Sequence, residues 1–234
     1  MIRILLFLLT ANVYILPLPA QMNATDLLNK SIDFHDPQGQ WDTFKGTLEL
    51  KVIRTDKADA IRKVMLNNAK QKFIFRGNYE EGILTYRVEN DKASFLWDGN
   101  SEVDKSLIEK YRLSKERASM YKNYFTYLYG MPMKLKDPGT HIDPQIVEVD
   151  FYGKALYKMK VTYEPEVGTD SWYFYFNKGT YALEAYQFFK DESKNDGEYI
   201  LFEGLKEIEG INFPKDRKWY YNKDEKYLAT DSLY

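Results

Sequence analysis

Along most of the chain, apolar and polar residues alternate with a period of two. In the segment 44–54, Leu48, Leu50 and Val52 face one way, while the lysine, threonine and glutamate residues between them face the other. This alternation is typical of an antiparallel strand with one solvated face, because the strands of an all-parallel sheet are apolar on both faces. Similar segments predict about eleven strands: 44–54, 61–66, 72–77, 83–88, 93–97, 145–152, 154–164, 171–177, 181–190, 198–206 and 211–221. A weaker pattern over 227–233 allows one more short strand.

Three segments have the helical period instead. The first covers residues 24–34, and two more lie in the middle of the chain, at 103–111 and 114–129, where Gly130 is placed to end the second. The apolar stripe of the segment 114–129 consists of Ala118, Tyr121, Phe125 and Leu128. The chain therefore predicts a mainly β fold of the α+β class, with one helix before the strands and two inserted near the middle. It has no internal repeat or linker, which indicates a single domain.

The first twenty residues have a different character. Arg3 precedes an apolar run over 4–16, and Leu18-Pro19-Ala20 supplies a site suited to cleavage. This is the pattern of a secretory signal peptide, and the apolar run is too short for the roughly 20 residues that a spanning helix needs. We therefore expect a signal peptide at 1–20 and a single exported domain at 21–234, soluble and without stable membrane insertion.

Composition excludes several classes of function. The chain has 33 basic and 35 acidic residues, a formal net charge of −2, which gives no electrostatic drive towards nucleic acid. It has no cysteine, which excludes disulfides, thiolate metal sites and cysteine nucleophiles. The segment 191–197 superficially resembles a calcium loop, but its glycine is one position late and Phe202 stands where a bidentate glutamate is needed. We expect no metal, no cofactor and no nucleic-acid partner.

No familiar catalytic motif occurs in the sequence, and its two histidines are His35 and His141. His35 and Asp36 could act as a base and the carboxylate that orients it, which leaves a hydrolase as one alternative. The simpler interpretation is a structural turn after the first helix, and we expect no catalytic residue and no enzymatic activity. The residues of this turn are His35, Asp36, Pro37, Gly39 and Trp41. We expect His141 to lie in a loop.

Aromatic residues are unusually abundant, with 20 Tyr, 14 Phe and 4 Trp. Many fall in the predicted strands, which aromatic side chains favour. One antiparallel sheet with three short helices has few elements to enclose so many rings, since each buries about 150–250 Å². A strongly curved sheet, partly closed by helices, would leave an apolar cavity. The residues alone fit such a cavity and a solid core equally well.

Four motifs bear on this choice. They are His35-Asp36-Pro37-x-Gly39-x-Trp41, Tyr127-x-Tyr129-Gly130-Met131-Pro132, Lys136-Asp137-x-Gly139-Thr140 and Gly210-Ile211-x-Phe213-Pro214. With these motifs and its order of elements, the chain after the leader resembles the lipoprotein carriers of the Gram-negative periplasm and their outer-membrane receptors. More closely, it resembles a secreted family of that superfamily that has no settled activity. The resemblance implies an incomplete antiparallel barrel, with the inserted helices as a lid over an apolar cavity for acyl chains.

The resemblance also implies a function, that of a periplasmic carrier that binds a lipid or an acylated protein. We expect such a carrier to be a monomer. The residues expected to line its cavity are Leu48, Leu50, Val52, Tyr86, Phe95, Trp97, Tyr121, Phe125, Leu128, Tyr157, Met159, Trp172 and Phe174. A second alternative, besides the hydrolase, is a secreted interaction module that binds a protein or a glycan through an aromatic surface.

Overall fold

The computed structural model describes residues 22–234, so the predicted signal peptide at 1–20 lies outside the described residues. Within that range the chain forms three α-helices and twelve β-strands. In chain order they are α1 (Ala24–His35), β1 (Lys45–Ile53), β2 (Ala60–Asn67), β3 (Lys72–Tyr79), β4 (Gly82–Glu89), β5 (Lys92–Trp97), α2 (Lys105–Tyr111), α3 (Lys115–Tyr129), β6 (Thr140–Phe151), β7 (Lys154–Tyr163), β8 (Ser171–Asn177), β9 (Leu183–Phe189), β10 (Glu198–Ile208), β11 (Ile211–Tyr221) and β12 (Tyr227–Leu233). In this part of the chain, no helix is long and apolar enough to cross a membrane.

The strands join one antiparallel sheet in the order β5-β4-β3-β2-β1-β12-β11-β10-β9-β8-β7-β6. Helices α2 and α3 connect the two edge strands, β5 and β6, and β12 lies between β1 and β11. Within residues 22–234 the edge strands do not pair with each other, so the sheet is not closed into a barrel. The predicted fold, a mainly β incomplete barrel with an N-terminal helix and two inserted helices, is confirmed. The weak pattern near the C-terminus proves to be a central strand.

The sheet curves around α3. Tyr121 of this helix packs edge-on against Tyr86 in β4, with ring centroids 5.0 Å apart, and Tyr127 packs against Trp172 in β8 at 5.4 Å. The eight inter-strand steps from β4 to β8 would span about 38 Å in a flat sheet, whereas a helix with its side chains is about 10–12 Å wide. Contact with both strands therefore requires strong curvature. We call the face of the sheet that surrounds α3 the inner face.

Local sequence signals set the ends of α3. The helix begins where the Ser114 hydroxyl accepts a hydrogen bond from the backbone N–H of Arg117 (3.0 Å). It ends at Gly130, whose φ of −84° is open to any residue. A Cβ atom there would lie 2.5 Å from the backbone oxygen of Thr126 and 2.5 Å from the Trp41 ring. Glycine is therefore needed for the close packing of the helix end against Trp41.

The start of β6 differs from the prediction. The alternation indicates a strand over 145–152 with His141 in a loop before it, whereas β6 begins at Thr140 and includes His141. Pro144 lacks an N–H, and the register of β6 against β7 shifts around it, so the early part of the strand does not follow the period of two. His141 Nε2 forms a hydrogen bond with the carboxylate of Glu164 (2.7 Å) on the surface.

Candidate functional site

His35, the last residue of α1, is completely buried. Its Nε2 lies 2.9 Å from the backbone N–H of Leu183, which can only donate, so Nε2 accepts and the proton is on Nδ1. That Nδ1–H donates to the backbone oxygen of Asn212 at 2.5 Å. Burial is the main reason that the pKa of His35 falls from 6.5 to about 4. Both ring nitrogens thus bind backbone, and the imidazole ties α1 to the starts of β9 and β11.

Asp36 organises the turn that follows. Its carboxylate accepts hydrogen bonds from the backbone N–H groups of Gln40 (2.7 Å) and Trp41 (2.9 Å). Gly39 has a φ of +65°, in the left-handed region that glycine adopts without strain. Trp41 is buried and stacks on Phe44, with ring centroids 5.7 Å apart. Asp36 therefore binds backbone donors and does not orient the His35 ring as a catalytic carboxylate would.

Three of the four motifs noted in the sequence meet at this turn. Gly130, in the motif after α3, packs against Trp41. Asn212, in the motif at the start of β11, receives the His35 bond through its oxygen and donates its side-chain amide to the backbone oxygen of Phe34 (2.9 Å). These motifs mark a structural junction between α1, the end of α3 and β11, so they explain a shared fold and do not point to a reaction.

The predicted stripe of α3 packs against the first half of the sheet. Phe125 is buried, with its ring centroid 5.7 Å from Phe75 and 6.3 Å from Phe73 in β3. Tyr121 packs edge-on against Phe75 at 4.9 Å. Of the predicted cavity residues, this core contains Leu48, Leu50, Tyr86, Trp97, Phe125 and Leu128, with Phe95 and Tyr121 partly buried beside them. On this side of α3 the side chains pack against one another, and Tyr86 and Tyr121 also border a smaller pocket of about 280 Å³ beside α2.

The other predicted cavity residues belong mainly to the second half of the sheet. Met159 and Phe174 are buried in the same core, and Tyr157 packs against it. Val52 is buried on β1, opposite Asp231 of β12. Trp172 is partly buried and borders an open groove.

This groove, of about 920 Å³, lies on the other flank of α3. It separates the helix from the segment 164–170, which joins β7 to β8. Its apolar and aromatic lining residues are Met120, Tyr124, Tyr127, Tyr163, Val167 and Trp172, and its polar ones are Lys122, Asn123, Thr126, Lys134, Asp137, Glu166, Thr169 and Asp170. Its volume is within the range of about 300–1,000 Å³ that is usual for small-molecule sites.

The groove is lined by a second apolar stripe of α3, which the sequence analysis did not identify. Met120, Tyr124 and Tyr127 recur at intervals of four and three, the same spacing as in the predicted stripe. Met120 is 51% exposed and Val167, across the groove, is 57% exposed. A helix that is apolar on two sides indicates partners on both, and that signal was present in the sequence.

Tyr124 shows how far the groove extends inwards. It is 41% exposed, yet burial raises the pKa of its hydroxyl well above the usual range. The exposed fraction and the raised pKa both fit a side chain whose water contact is limited to the interior of a recess. Its ring stacks on Trp219 of β11, with centroids 6.4 Å apart. Tyr124 therefore lies between the groove and the inner face near the centre of the sheet.

Polar contacts connect the two walls of the groove at one end. The hydroxyls of Tyr127, on α3, and Tyr163, on β7, form a hydrogen bond. Lys134 and Asp137 form an ion pair in the segment after α3.

Burial raises the pKa of Asp170, another residue that lines the groove. Among residues 22–234, no three histidine and acidic side chains are grouped to hold a metal ion.

Below the groove lies a group of polar residues, which we call the floor cluster. It consists of Tyr129, Tyr186, Arg217, Trp219 and Asp231. The Arg217 guanidinium is buried with its carbon 3.8 Å from the centroid of the Tyr129 ring, and its Nη1 donates to the backbone oxygen of Pro214 (2.8 Å). Asp231 lies opposite Arg217 in the register of β11 and β12. Burial raises the pKa of Asp231, while the charges of Arg62 and Arg217 oppose that change.

Four polar atoms of the floor cluster are buried without a hydrogen-bond partner among the described residues. They are Arg217 Nε, Trp219 Nε1 and the hydroxyl oxygens of Tyr129 and Tyr186. The Tyr186 hydroxyl lies near Arg217 and the Trp219 indole near Asp231, close enough for each neighbour to oppose the rise in pKa that burial causes in Tyr186 and in Asp231, but neither pair forms a well-aligned hydrogen bond. Buried polar groups are nearly always paired, so four unpaired ones in one place are unusual.

The fold is similar to known structures. A LolA superfamily protein from Nitrosomonas europaea aligns with a TM-score of 0.51 at 11% identity, over 91% of this chain and 92% of its own. A putative outer membrane lipoprotein-sorting protein domain from Vibrio parahaemolyticus aligns at 0.47 and 7% identity, over 88% and 91%. A DUF1329 family protein from Desulfovibrio piger aligns at 0.43 and 10% identity, over 90% of each chain.

The first of these structures shows that the chain has the fold of a LolA superfamily protein. At such low identity a structural likeness shows the fold alone. No curated protein sequence matches the chain. The model of a family of unknown function, DUF6503, matches residues 3–234, and the chain belongs to that family.

Proposed function

We propose that the protein binds an acyl chain of a lipid or of an acylated protein in the groove beside α3 and carries it through an aqueous compartment. The observation that carries this proposal is the exposed apolar surface of Met120, Tyr124 and Val167 around a recess of about 920 Å³. Apolar residues that are exposed together in a concave place usually mark a binding site. The LolA-type fold, which the sequence resemblance associates with lipoprotein carriers, agrees with it.

The energetics favour a long chain as ligand. Each buried methylene contributes about 0.8 kcal/mol, while the loss of translational and rotational freedom costs an estimated 4–15 kcal/mol. A chain of a dozen methylenes, at about 10 kcal/mol, offsets much of that cost, whereas a chain of six does not. Affinity should therefore rise about fifteenfold for every two methylenes added.

A titration of the 21–234 protein with a fluorescent long-chain fatty acid tests the proposal. We expect saturable binding that Val167→Asp and Met120→Asp weaken by tenfold or more, since each places a charge in the apolar groove without disturbing the core. Val147→Asp is the matched control, because Val147 is 54% exposed on β6 and is not a lining residue of the groove. Wild-type protein without saturable binding, or equal affinity in all three variants, would contradict the proposal.

We also infer that the protein acts in the periplasm after removal of residues 1–20. The apolar run at 4–16 and Leu18-Pro19-Ala20 support processing at that point. Intact mass measurement of protein released by osmotic shock should give an N-terminus near Gln21. Functional protein that begins at Met1 and remains with membranes would contradict this inference.

A second candidate function is binding of a glycan or a protein through the outer face of the sheet. There the rings of Tyr152, Tyr199 and Tyr220 form a ladder, with successive centroids 4.8 and 5.0 Å apart, and Tyr152 is 46% exposed. Tyr199 is buried between the other two rings, so Tyr152 is the ring that presents an apolar surface to a sugar. If oligosaccharides bind to wild type but not to Tyr152→Ala, while fatty acids do not bind at all, this function replaces the first.

A further inference from the structure

The floor cluster offers hydrogen-bond donors that form no well-aligned hydrogen bond within the described chain, although the Asp231 carboxylate lies beside Trp219. Arg217 Nε and Trp219 Nε1 carry hydrogens and have no lone pair available, so both atoms can only donate. The hydroxyl of Tyr186 is unpaired beside them. A buried donor without an acceptor lowers stability, and a cluster of them calls for a partner from outside the chain.

The charges near the cluster favour an anion. Three cations, Arg54, Arg62 and Arg217, act on Asp231, and Glu198 acts on Tyr186 as a second acid, so the balance is positive even when both carboxylates are ionised. Donor-only atoms with a positive balance match a ligand that has acceptors and a negative charge. A carboxylate is the smallest organic group of that kind, and its two oxygens accept several hydrogen bonds at once.

Single aromatic side chains separate the floor cluster from the groove. Tyr124 lines the groove and stacks on Trp219, with centroids 6.4 Å apart. Trp172 lines the opposite wall and packs against Tyr186 at 5.8 Å. A change in the rotamer of Tyr124 or Trp172 would therefore connect the apolar groove with the unpaired donors, so that a single amphiphile could occupy both.

We propose that the floor cluster binds the carboxylate head of a free fatty acid, with Arg217 Nε–H, Trp219 Nε1–H and the Tyr186 hydroxyl as donors and with the acyl tail in the groove. This inference rests on the proposed function and makes it more specific. It selects an unesterified chain, which enters head first, over an acyl chain esterified to a glycerolipid or amide-linked to a protein. An ester also has oxygen atoms that accept hydrogen bonds, but it is uncharged and so gains no ion pairing with Arg62 and Arg217.

Three probes with the same tail and different heads test the ligand: palmitic acid, its methyl ester and 1-hexadecanol. Binding to the 21–234 protein is followed by tryptophan fluorescence, to which Trp172 and Trp219 both contribute near the site. Hydrogen bonds to charged groups are stronger than neutral ones, so palmitic acid should bind at least about tenfold more tightly than the ester and the alcohol.

Two variants test the residues. Tyr186→Phe and Trp219→Phe remove an unpaired polar atom and keep a ring in place. Neither should lower the urea midpoint of the free protein through a lost hydrogen bond, yet each should reduce the affinity for palmitic acid by about tenfold while that for the methyl ester stays the same. Tyr175→Phe is the matched control. Its hydroxyl donates to Gln187 (2.7 Å), so the change should lower stability and leave the acid-to-ester ratio unaltered.

The outcomes separate this inference from the proposed function. Equal wild-type affinity for acid, ester and alcohol would overturn the carboxylate site and leave acyl binding in the groove intact. A wild-type protein that binds none of the three would overturn both. A Tyr186→Phe protein that loses stability and keeps the wild-type acid-to-ester ratio would assign the hydroxyl to structure, which also overturns the site.

Discussion

Acid should destabilise this protein through His35. The neutral ring holds two backbone bonds, and a proton on Nε2 would abolish the bond from the Leu183 amide and leave two N–H donors facing each other. The unfolded chain binds that proton near pH 6.5, whereas the folded chain binds it only near pH 4. Because the unfolded state binds more protons in this interval, the stability that His35 contributes is complete above about pH 7 and is lost as the pH falls from 6.5 to 4.

The size of the effect follows from the two pKa values. The interval from 6.5 to about 4, at about 1.4 kcal/mol for each pH unit, gives roughly 3 kcal/mol lost by pH 4. Marginal stabilities of 5–15 kcal/mol are usual, so this is a large fraction. Buried carboxyls with a raised pKa, Asp231 and Glu198, act in the opposite direction, because their folded forms take up protons first.

Urea unfolding, followed by tryptophan fluorescence between pH 7.5 and 4.5, measures this linkage. His35→Gln should be about 1–3 kcal/mol less stable than wild type at pH 7.5, since it loses a buried bond. The difference in free energy of unfolding between wild type and His35→Gln should decrease as the pH falls, because the variant has no imidazole to titrate at this position. The exposed His141 supplies the control, and His141→Gln should follow the wild-type curve. Parallel curves for wild type and His35→Gln would refute the reasoning, since the carboxyl contributions are common to both.

Two further predictions concern the junction at the end of α1. Gly130→Ala should lower the free energy of unfolding by about 1–3 kcal/mol, because the new methyl group would overlap the Trp41 ring and the backbone of α3. Gly168 has open space around it, so Gly168→Ala should hardly change the free energy of unfolding in the same urea assay. Asp36→Ala should lower the free energy of unfolding by about 1–3 kcal/mol, since two backbone N–H groups lose their acceptor. Esterase or peptidase assays should show no activity in the wild type for this change to remove. An Asp36→Ala protein that melts like wild type but loses a measurable hydrolysis would restore the enzyme hypothesis.

Most of the fold could be predicted from the sequence because its signals are local. The alternation of Leu48, Leu50 and Val52 needs only neighbouring residues to be recognised, and so do the strands that resemble it. The last strand, β12, was a weak prediction for a physical reason. Its inner position at Asp231 is polar, so the alternation that marks a buried face is broken where the strand is most central.

The candidate site depends on tertiary geometry, and the sequence predicted less of it. The two apolar stripes of α3 have the same spacing, so the sequence does not show which stripe packs into the core and which faces the groove. That depends on how far the sheet curves around the helix. The floor cluster was harder still to predict. Arg217 stands in the run Lys215-Asp216-Arg217-Lys218, where only the register of β11 shows that this one charge points inwards.

The central place of β12 has a consequence for how the chain reaches its native state. The strand pairs Leu233 with Leu50, and the N–H of Tyr234 donates to the backbone oxygen of Glu49 (3.2 Å). The halves β1–β5 and β6–β11 are thus joined through a strand that follows both of them in the chain. Until β12 is in place, β1 and β11 each keep an open edge, and pairing between such distant segments is slow. Closure of the sheet should therefore be a late step in folding, and deletion of residues 227–233 should leave the two halves without their shared strand.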